Sequence, residues 1–306
     1  MEKNIGFNDK YKFGVEIEFA NDEKILDEIY YDSLKYFIPI KFQINHKLYL
    51  NFFNRWILDH DLSVSKNING KYYGGEVSSR ILTDDIESWK ELKKICKLLK
   101  SNNSYIDTHC GGHINIDISS YLNNPKFFEV LYKTIIVYED EISKFYMGDM
   151  YKIRDSKEKY AKSMKDRLFN NINKVNFYNK NFIENIRENS LSFRIEDGIN
   201  FFKLYKSSLM EIRYPNSSLN PNIIQNNINF SLSLISAIGE DKIDLDFLNH
   251  LIKAAKKNKE IFYNDFNNYF EKNKKFDYLI NQISLNENSK NNFNSQYQKV
   301  LKKTSY

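Results

Sequence analysis

The stretch FGVEIEF, residues 13–19, decides the fold of this chain and raises the first question about its chemistry. Polar and apolar residues alternate along it, so Val15 and Ile17 point to one face of a strand. Glu16 and Glu18 point to the other face, and a half-buried strand is therefore predicted. The two carboxylates share that face and repel each other unless a cation lies between them.

The composition predicts a globular protein, because 42% of the 306 residues are hydrophobic. The net charge of +5 suits an anionic ligand such as a nucleotide, but it does not require a nucleic acid. The basic run at 253–260 is interpreted as a solvated helix face rather than a binding patch. The sequence has no apolar run of the roughly 20 residues that a membrane helix needs, no signal-peptide pattern and only two cysteines. We therefore expect a cytoplasmic protein that does not associate with membranes.

Hydrophobic periodicity predicts an alternation of strands and helices. Further strands are predicted at 72–82, 111–119, 191–195 and 208–214, and helices at 22–36, 84 or 85 to 99, 125–146, 221–238 and 245–262. Residues 40–73 are expected to form short strands or irregular structure. This order predicts an antiparallel or mixed sheet with helices on one face. The domain prediction is a single catalytic domain over 1–265 with a mobile insertion near 148–190, and a polar extension over 266–306 that is helical or partly flexible.

The polar faces of the predicted strands carry residues at the two-residue spacing that places both on one face. They are Glu16 and Glu18, Glu76 and Ser78, His113 and Asn115, Arg194, and Glu211 and Arg213. One such pair is more typical of an ordinary exposed strand, but repetition over several strands favours a site. Carboxylates with one imidazole suit Mg²⁺ or Mn²⁺, and arginines suit a phosphate or carboxylate anion. The combination indicates phosphoryl transfer, although no P-loop and no GxGxxG motif is present.

These motifs, taken in order, resemble the amidoligase family, which belongs to the superfamily of glutamine synthetase and glutamate–cysteine ligase. The resemblance rests on FGVEIEF, GGEVSS, CGGHINI, a following Arg and MEIRYPNSSLNP, and covers residues 13 to about 222. It implies an α+β fold in which a curved, mainly antiparallel sheet of glutamine synthetase-like type carries helices on its convex face. It also implies an ATP-dependent carboxylate–amine ligase that acts through an acyl phosphate on an amino acid, peptide or protein.

The resemblance also assigns roles to individual residues. The implied ligands of Mg²⁺ or Mn²⁺ are Glu16, Glu18, Glu76, His113 and Glu211. The implied ATP contacts are His113, Asn115 and Arg194, and the implied catalytic residues are Arg194 and Arg213. Many relatives have His-x-His where this chain has His113 and Asn115, so whether the metal set is complete stays open. The expected partners are small-molecule or peptide carboxylates and amines; nucleic acid is not expected, and an oligomer is compatible with the sequence.

Two other functions stay open at this point. One is a catalytically inactive, nucleotide- or metal-binding regulatory protein of the same fold. The other is a metal-dependent hydrolase or phosphotransferase that uses the same carboxylates. A higher melting temperature in the presence of ATP with Mg²⁺ would favour the ligase, whereas a higher melting temperature with the metal alone would favour the hydrolase.

Overall fold

The computed structural model describes residues 6–35, 40–42, 56–150, 159, 161–179, 194–205, 207–257 and 274–304. These residues form a mixed α/β fold with one main sheet, one small hairpin and eight α-helices. The strands are β1 (Asn8–Phe19), β2 (Ile40–Phe42), β3 (Trp56–Asp59), β4 (Lys66–Ile68), β5 (Lys71–Tyr73), β6 (Gly75–Ser78), β7 (Leu82–Asp84), β8 (Gly112–Asp117), β9 (Ile199–Asn200) and β10 (Leu209–Ile212). The helices are α1 (Leu26–Lys35), α2 (Ile86–Ser101), α3 (Pro125–Phe145), α4 (Lys165–Asn171), α5 (Pro221–Gly239), α6 (Leu245–Lys257), α7 (Lys274–Ile283) and α8 (Glu287–Thr304).

The main sheet has the strand order β2-β3-β6-β1-β8-β10-β9, with β7 pairing additionally to β1. All neighbours are antiparallel except β2 and β3, which run parallel. β4 and β5 form a separate two-stranded hairpin. The 12-residue strand β1 carries the FGVEIEF stretch through the centre of the sheet, so both of its glutamates have neighbouring strands on either side.

The apolar face of the sheet packs on helices, as the alternation in β1 predicted. Val15 and Ile17 are both buried, and the Phe13 ring stacks on Trp89 of α2 at a centroid distance of 5.6 Å. α2 begins at Asp85, whose side chain accepts hydrogen bonds from two backbone N–H groups of the first turn. The prediction of a cap at Asp84 or Asp85 is thus settled in favour of Asp85.

The C-terminal helices α7 and α8 belong to the helical layer that α3 and α5 form. Phe276 of α7 and Phe293 of α8 are fully buried. Both rings lie 5.9 Å from the ring of Phe145 on α3, and Phe293 also lies 5.4 Å from Phe230 on α5. Residues 274–304 therefore contribute aromatic side chains to the core, and the predicted boundary at 265 lies outside the described residues.

Two glycines allow the close turn that leads into β6, as the sequence predicted. Gly74 has φ of +76°, which strains any residue with a Cβ atom. A Cβ on Gly75 would lie 2.3 Å from the carbonyl oxygen of Asp59. The turn therefore needs glycine at both positions to bring β6 beside β3.

The strand predicted over 191–195 is wrong at the two of its residues that the structure describes. Arg194 and Ile195 lie outside any strand, and the neighbouring strand begins at Ile199. The reason is Asp197, whose carboxylate accepts the Arg194 N–H at 2.6 Å while its own N–H donates to the Arg194 carbonyl at 3.2 Å. This local turn uses the backbone groups that a strand would have given to its neighbour.

Much of the predicted insertion near 148–190 lies outside the described residues, and its described part includes α4. α6 covers Leu245–Lys257, and the rest of the helix predicted to 262 lies outside the described residues. No helix among the described residues is long and apolar enough to cross a membrane.

Candidate metal centre and active site

Strand register brings the predicted carboxylates and the histidine together on the polar face of the sheet. Glu18 of β1 lies directly opposite Glu76 of β6. Glu16, two residues earlier on β1, lies opposite His113 of β8. Like charges in directly opposite positions of an antiparallel pair destabilise a sheet. The Glu18–Glu76 pair is therefore unfavourable for the fold alone.

His113 is buried, with 5% of its surface exposed, and it joins the two glutamates of β1. Its Nδ1 lies 2.7 Å from Oε2 of Glu16, and its Nε2 lies 3.6 Å from Oε1 of Glu18. In the neutral form of the imidazole, the Nδ1–H group donates a hydrogen bond to Glu16 and the lone pair lies on Nε2. That Nε2 is buried without a hydrogen-bond partner. Because this acceptor lies beside two carboxylates, it can serve with them as a ligand of a cation.

The first group that can hold a metal ion consists of Glu18, Glu76 and His113, whose ligand atoms lie within 4.8 Å of one another. Burial, together with the charges of Glu16 and Glu18, raises the pKa of Glu76 well above its ordinary value. A cation between the carboxylates would remove this penalty. Two carboxylates and one imidazole suit a divalent ion such as Mg²⁺ or Mn²⁺. The residues therefore fit the metal that the sequence predicted.

The second such group consists of Glu16, His113 and Glu211, again with ligand atoms within 4.8 Å of one another. Here a side chain already lies against the carboxylates: Nζ of Lys203 is 2.8 Å from Oε1 of Glu211 and 3.4 Å from Oε1 of Glu16. The side chain of Asn115 also donates to Oε1 of Glu16 at 2.8 Å. The second group is thus neutralised by the protein itself.

Glu211 is almost completely buried and accepts hydrogen bonds at both oxygens. Besides Lys203, the side chain of Asn200 donates at 2.7 Å and the guanidinium of Arg213 at 3.2 Å. Burial and the charge of Glu16 raise the pKa of Glu211, but Lys203, His113 and Arg213 lower it by more, so the net direction is down.

Glu16 behaves in the same way. Burial raises the pKa of its carboxyl, but the hydrogen bond and charge of His113, followed by the charge of Lys203, lower it by more. Glu16 and Glu211 are therefore held as ionised groups, in contrast to Glu76.

The structure places the two predicted arginines differently. Arg213 contacts the carboxylate group through Glu211, and 16% of its side chain remains exposed. Arg194 is exposed in the turn that Asp197 holds, and no contact joins its side chain to the carboxylates in the part of the chain that is described. The predicted role of Arg194 at the ATP phosphates therefore has no support from the described contacts.

The sequence prediction did not include Lys203 and Asn200, which both contact Glu211. A signal was present in FFKLY, where Lys203 is the single charge in an aromatic and aliphatic stretch. The ammonium of such a lysine needs a polar or charged partner, but hydrophobic periodicity does not identify that partner. The register that places Asn200 opposite Glu211 depends on the short strand β9, which the sequence did not predict at this place.

Cys110 is the first residue of the CGGHINI motif but has no features of a nucleophile. It is fully buried, and burial raises the pKa of its thiol. Since the thiolate is the reactive form, a nucleophilic role for Cys110 is disfavoured.

Comparison with known proteins places this site in a family. The family model described as "Putative amidoligase enzyme" matches residues 9–235, a span that contains every residue of the two groups that could hold a metal ion. No curated protein and no solved structure matches the chain. Because the match covers more than half of the chain, and because the motifs on β1, β8 and β10 lie within it, the chain belongs to the amidoligase family.

Proposed function

We propose that the protein is an ATP- and Mg²⁺-dependent carboxylate–amine ligase that forms an amide bond through an acyl phosphate. Membership of the amidoligase family supports the reaction class. The observation that carries the metal dependence is the buried Nε2 of His113, which has no hydrogen-bond partner and faces the adjacent carboxylates Glu18 and Glu76. We also propose that the sheet has the curvature of glutamine synthetase, with ATP and the acceptor amine entering from opposite mouths of a funnel.

In this proposal Glu18, Glu76 and His113 hold the divalent ion. When bound, the ion supplies charge neutralisation for the triphosphate and for the γ-phosphoryl group during transfer. Glu16 accepts a hydrogen bond from the Nδ1–H group of His113. This bond fixes the tautomer and the ring orientation, as carboxylates next to metal-binding histidines do.

Arg213 is the proposed anion-binding residue. Its guanidinium is fixed against Glu211 and partly exposed, so it can orient a phosphate or a substrate carboxylate. The exposed Arg194 is proposed to meet ATP phosphates from the neighbouring turn. Asn115 contributes by fixing Glu16, which keeps the histidine in place.

The proposed reaction has two steps. An oxygen of the substrate carboxylate attacks the γ-phosphorus of ATP, the bond to the β-phosphate oxygen breaks, and ADP leaves. The amine then attacks the acyl carbon, inorganic phosphate leaves, and the amine loses a proton. The protein positions the reactants and neutralises charge, and no protein nucleophile takes part. The substrates are a small-molecule or peptide carboxylate and an amine.

The test is incubation with ATP, Mg²⁺, hydroxylamine and a mixed pool of amino acids and peptides. Hydroxylamine traps an acyl phosphate as a hydroxamate, even when the natural amine is not known. We expect ADP, phosphate and hydroxamate to form in equal amounts. Glu18→Gln should abolish turnover while the circular dichroism spectrum stays unchanged. Glu87→Gln, an exposed glutamate on α2, is the matched control and should keep wild-type turnover.

Other outcomes would contradict the proposal in different ways. AMP and pyrophosphate would indicate adenylation instead of phosphorylation. Stabilisation by ATP with Mg²⁺ but no product would favour the inactive regulatory protein. Release of phosphate with no hydroxamate, with a thermal shift from metal alone, would favour a hydrolase or phosphotransferase.

A further inference from the structure

We propose that Lys203 replaces one of two metal ions in this site, so that the chain binds a single divalent ion. The ion lies at Glu18, Glu76 and His113, and the ammonium of Lys203 is the fixed cation between Glu16 and Glu211. The inference rests on the proposed function only for the identity of the divalent ion. It reduces the number of ions to one, although two groups of residues could each hold a metal ion.

The ammonium of Lys203 is surrounded by three oxygen acceptors. Nζ is 2.8 Å from Oε1 of Glu211, 2.8 Å from Oδ1 of Asn115 and 3.4 Å from Oε1 of Glu16. An ammonium has three N–H donors, so this environment matches its full donor set.

A metal ion at the second group would need atoms that are already in use. Oε1 of Glu211 accepts from Lys203, and Nδ1 of His113 is hydrogen-bonded to Glu16 at 2.7 Å. Coordination through Nδ1 would require His113 to lose that proton and Lys203 to leave. At the first group, Nε2 of His113 is without a hydrogen-bond partner, so the same rearrangement is not needed.

The backbone around Lys203 holds the side chain in this place. Lys203 lies in the 3₁₀ turn Phe202–Tyr205, directly after β9. Its carbonyl accepts from the backbone N–H of Ser207 at 3.0 Å and from the Ser207 hydroxyl at 2.8 Å. These bonds tie the turn to the start of β10, the strand that carries Glu211.

The two groups also differ in charge. Glu16 and Glu211 carry two negative charges, and their ion-pair partners Lys203 and Arg213 carry two positive charges. Glu18 and Glu76 lie directly opposite each other on neighbouring strands, where like charges repel. A divalent ion between these two carboxylates would relieve that repulsion.

The experiment measures the number of Mn²⁺ ions bound per chain, by calorimetric titration and by electron paramagnetic resonance. Wild type should bind one ion with the spectrum of a magnetically isolated Mn²⁺. Lys203→Met should bind two, because the Glu16–Glu211 pair loses its cation, and the spectrum at saturation should show coupling between the two ions. Lys90→Met, at an exposed lysine of α2, is the matched control and should bind one ion.

Every result of this experiment is decisive. Two coupled ions in wild type would overturn the role of Lys203 and leave the proposed ligase function intact. No bound ion in wild type would overturn the Glu18–Glu76–His113 centre, and with it the metal dependence of the proposed function. One ion in both wild type and Lys203→Met would overturn the replacement. If Lys203→Met does not fold by circular dichroism, the wild-type stoichiometry and spectrum still decide between one ion and two.

Discussion

The protein buries carboxylates in two regions, the helical layer and the polar face of the sheet, and satisfies them to different degrees. In the helical layer, Glu139 of α3 is 2% exposed and accepts four hydrogen bonds. The donors are the hydroxyls of Ser163 and Tyr214 and the backbone N–H groups of Met164 and Lys165. This carboxylate ties the start of α4 and the end of β10 to α3, and every contact that holds it comes from the protein.

On the polar face of the sheet, the shell around the carboxylates is incomplete. Glu18 and Glu76 lie side by side on neighbouring strands, and the adjacent Nε2 of His113 lacks a hydrogen-bond partner. Burial makes such groups costly unless a partner arrives. The difference teaches that a buried carboxylate alone does not mark a functional site. What distinguishes the sheet is that two carboxylates and an imidazole bring their ligand atoms within 4.8 Å of one another.

The largest predicted effect is the loss of stability in Glu139→Ala. The substitution leaves four donors without their acceptor, so the free energy of unfolding should fall by about 4 kcal/mol. Urea denaturation followed by circular dichroism measures the change. The Mn²⁺ affinity of the folded variant should equal that of wild type. Loss of metal binding in a folded Glu139→Ala protein would mean that the two regions are not independent.

The second prediction concerns Arg213, which lies between the two regions because Tyr214 next to it contacts Glu139. Arg213→Lys replaces a planar fork of donors with a single ammonium, so contact with phosphate or carboxylate is lost. We expect kcat/KM to fall by the equivalent of about 2–4 kcal/mol, the range for one lost preorganised donor. The free energy of unfolding should change little. A kcat/KM within a factor of two of wild type would place Arg213 outside the reaction site.

The third prediction reverses the sign of the first. Glu76→Gln removes one of two carboxylates that lie directly opposite each other, so the metal-free protein should become more stable by up to about 1 kcal/mol, the range for one cross-strand pair. The same substitution should weaken Mn²⁺ binding, because it removes a ligand. Thermal unfolding in the presence of a chelator measures the stability, and calorimetric titration measures the affinity.

The pH dependence provides the control for Glu76. Its pKa in the folded protein is raised from 4.5, so the folded state holds the proton more tightly than the unfolded state. The stability of the metal-free wild type should therefore decline as the pH rises from 4.5 through the raised pKa. Glu76→Gln should lack this part of the decline. An identical pH profile in both proteins would contradict the assigned charge state.

The sequence predicted the parts of the site that follow from strand alternation. Glu16 and Glu18 on β1 and His113 on β8 share a face because side chains repeat every two residues, and the structure brings them together. Glu211 on β10 joins them by register. Periodicity thus fixed which face each residue occupies, but the assigned roles of these residues remain predictions.

Periodicity could not supply the contacts that depend on turns. Lys203 reaches Glu211 from a 3₁₀ turn, where no two-residue or 3.6-residue repeat operates. Arg194 was predicted on a strand, but the side chain of Asp197 captures its N–H and forms a turn. The burial of Phe276 and Phe293 depends on long-range packing, which a polar composition near the C-terminus conceals. These are tertiary effects that override the local pattern.

The smallest predicted effect concerns a third kind of carboxylate, one at the surface with exposed lysine partners. Glu240 at the end of α5 is 33% exposed and forms ion pairs with Lys10 and Lys242. The hydrogen bond from Lys10, followed by that from Lys242, lowers its pKa from 4.5 to about 2. A lowered pKa means that its stabilisation is present above pH 4.5 and is lost as the pH falls towards 2. Because solvent screens exposed pairs, Glu240→Gln should cost less than about 1 kcal/mol at pH 7 and still less at pH 2, as urea denaturation at the two pH values would measure. A loss at pH 7 as large as that of Glu139→Ala would show that burial is not what separates these carboxylates.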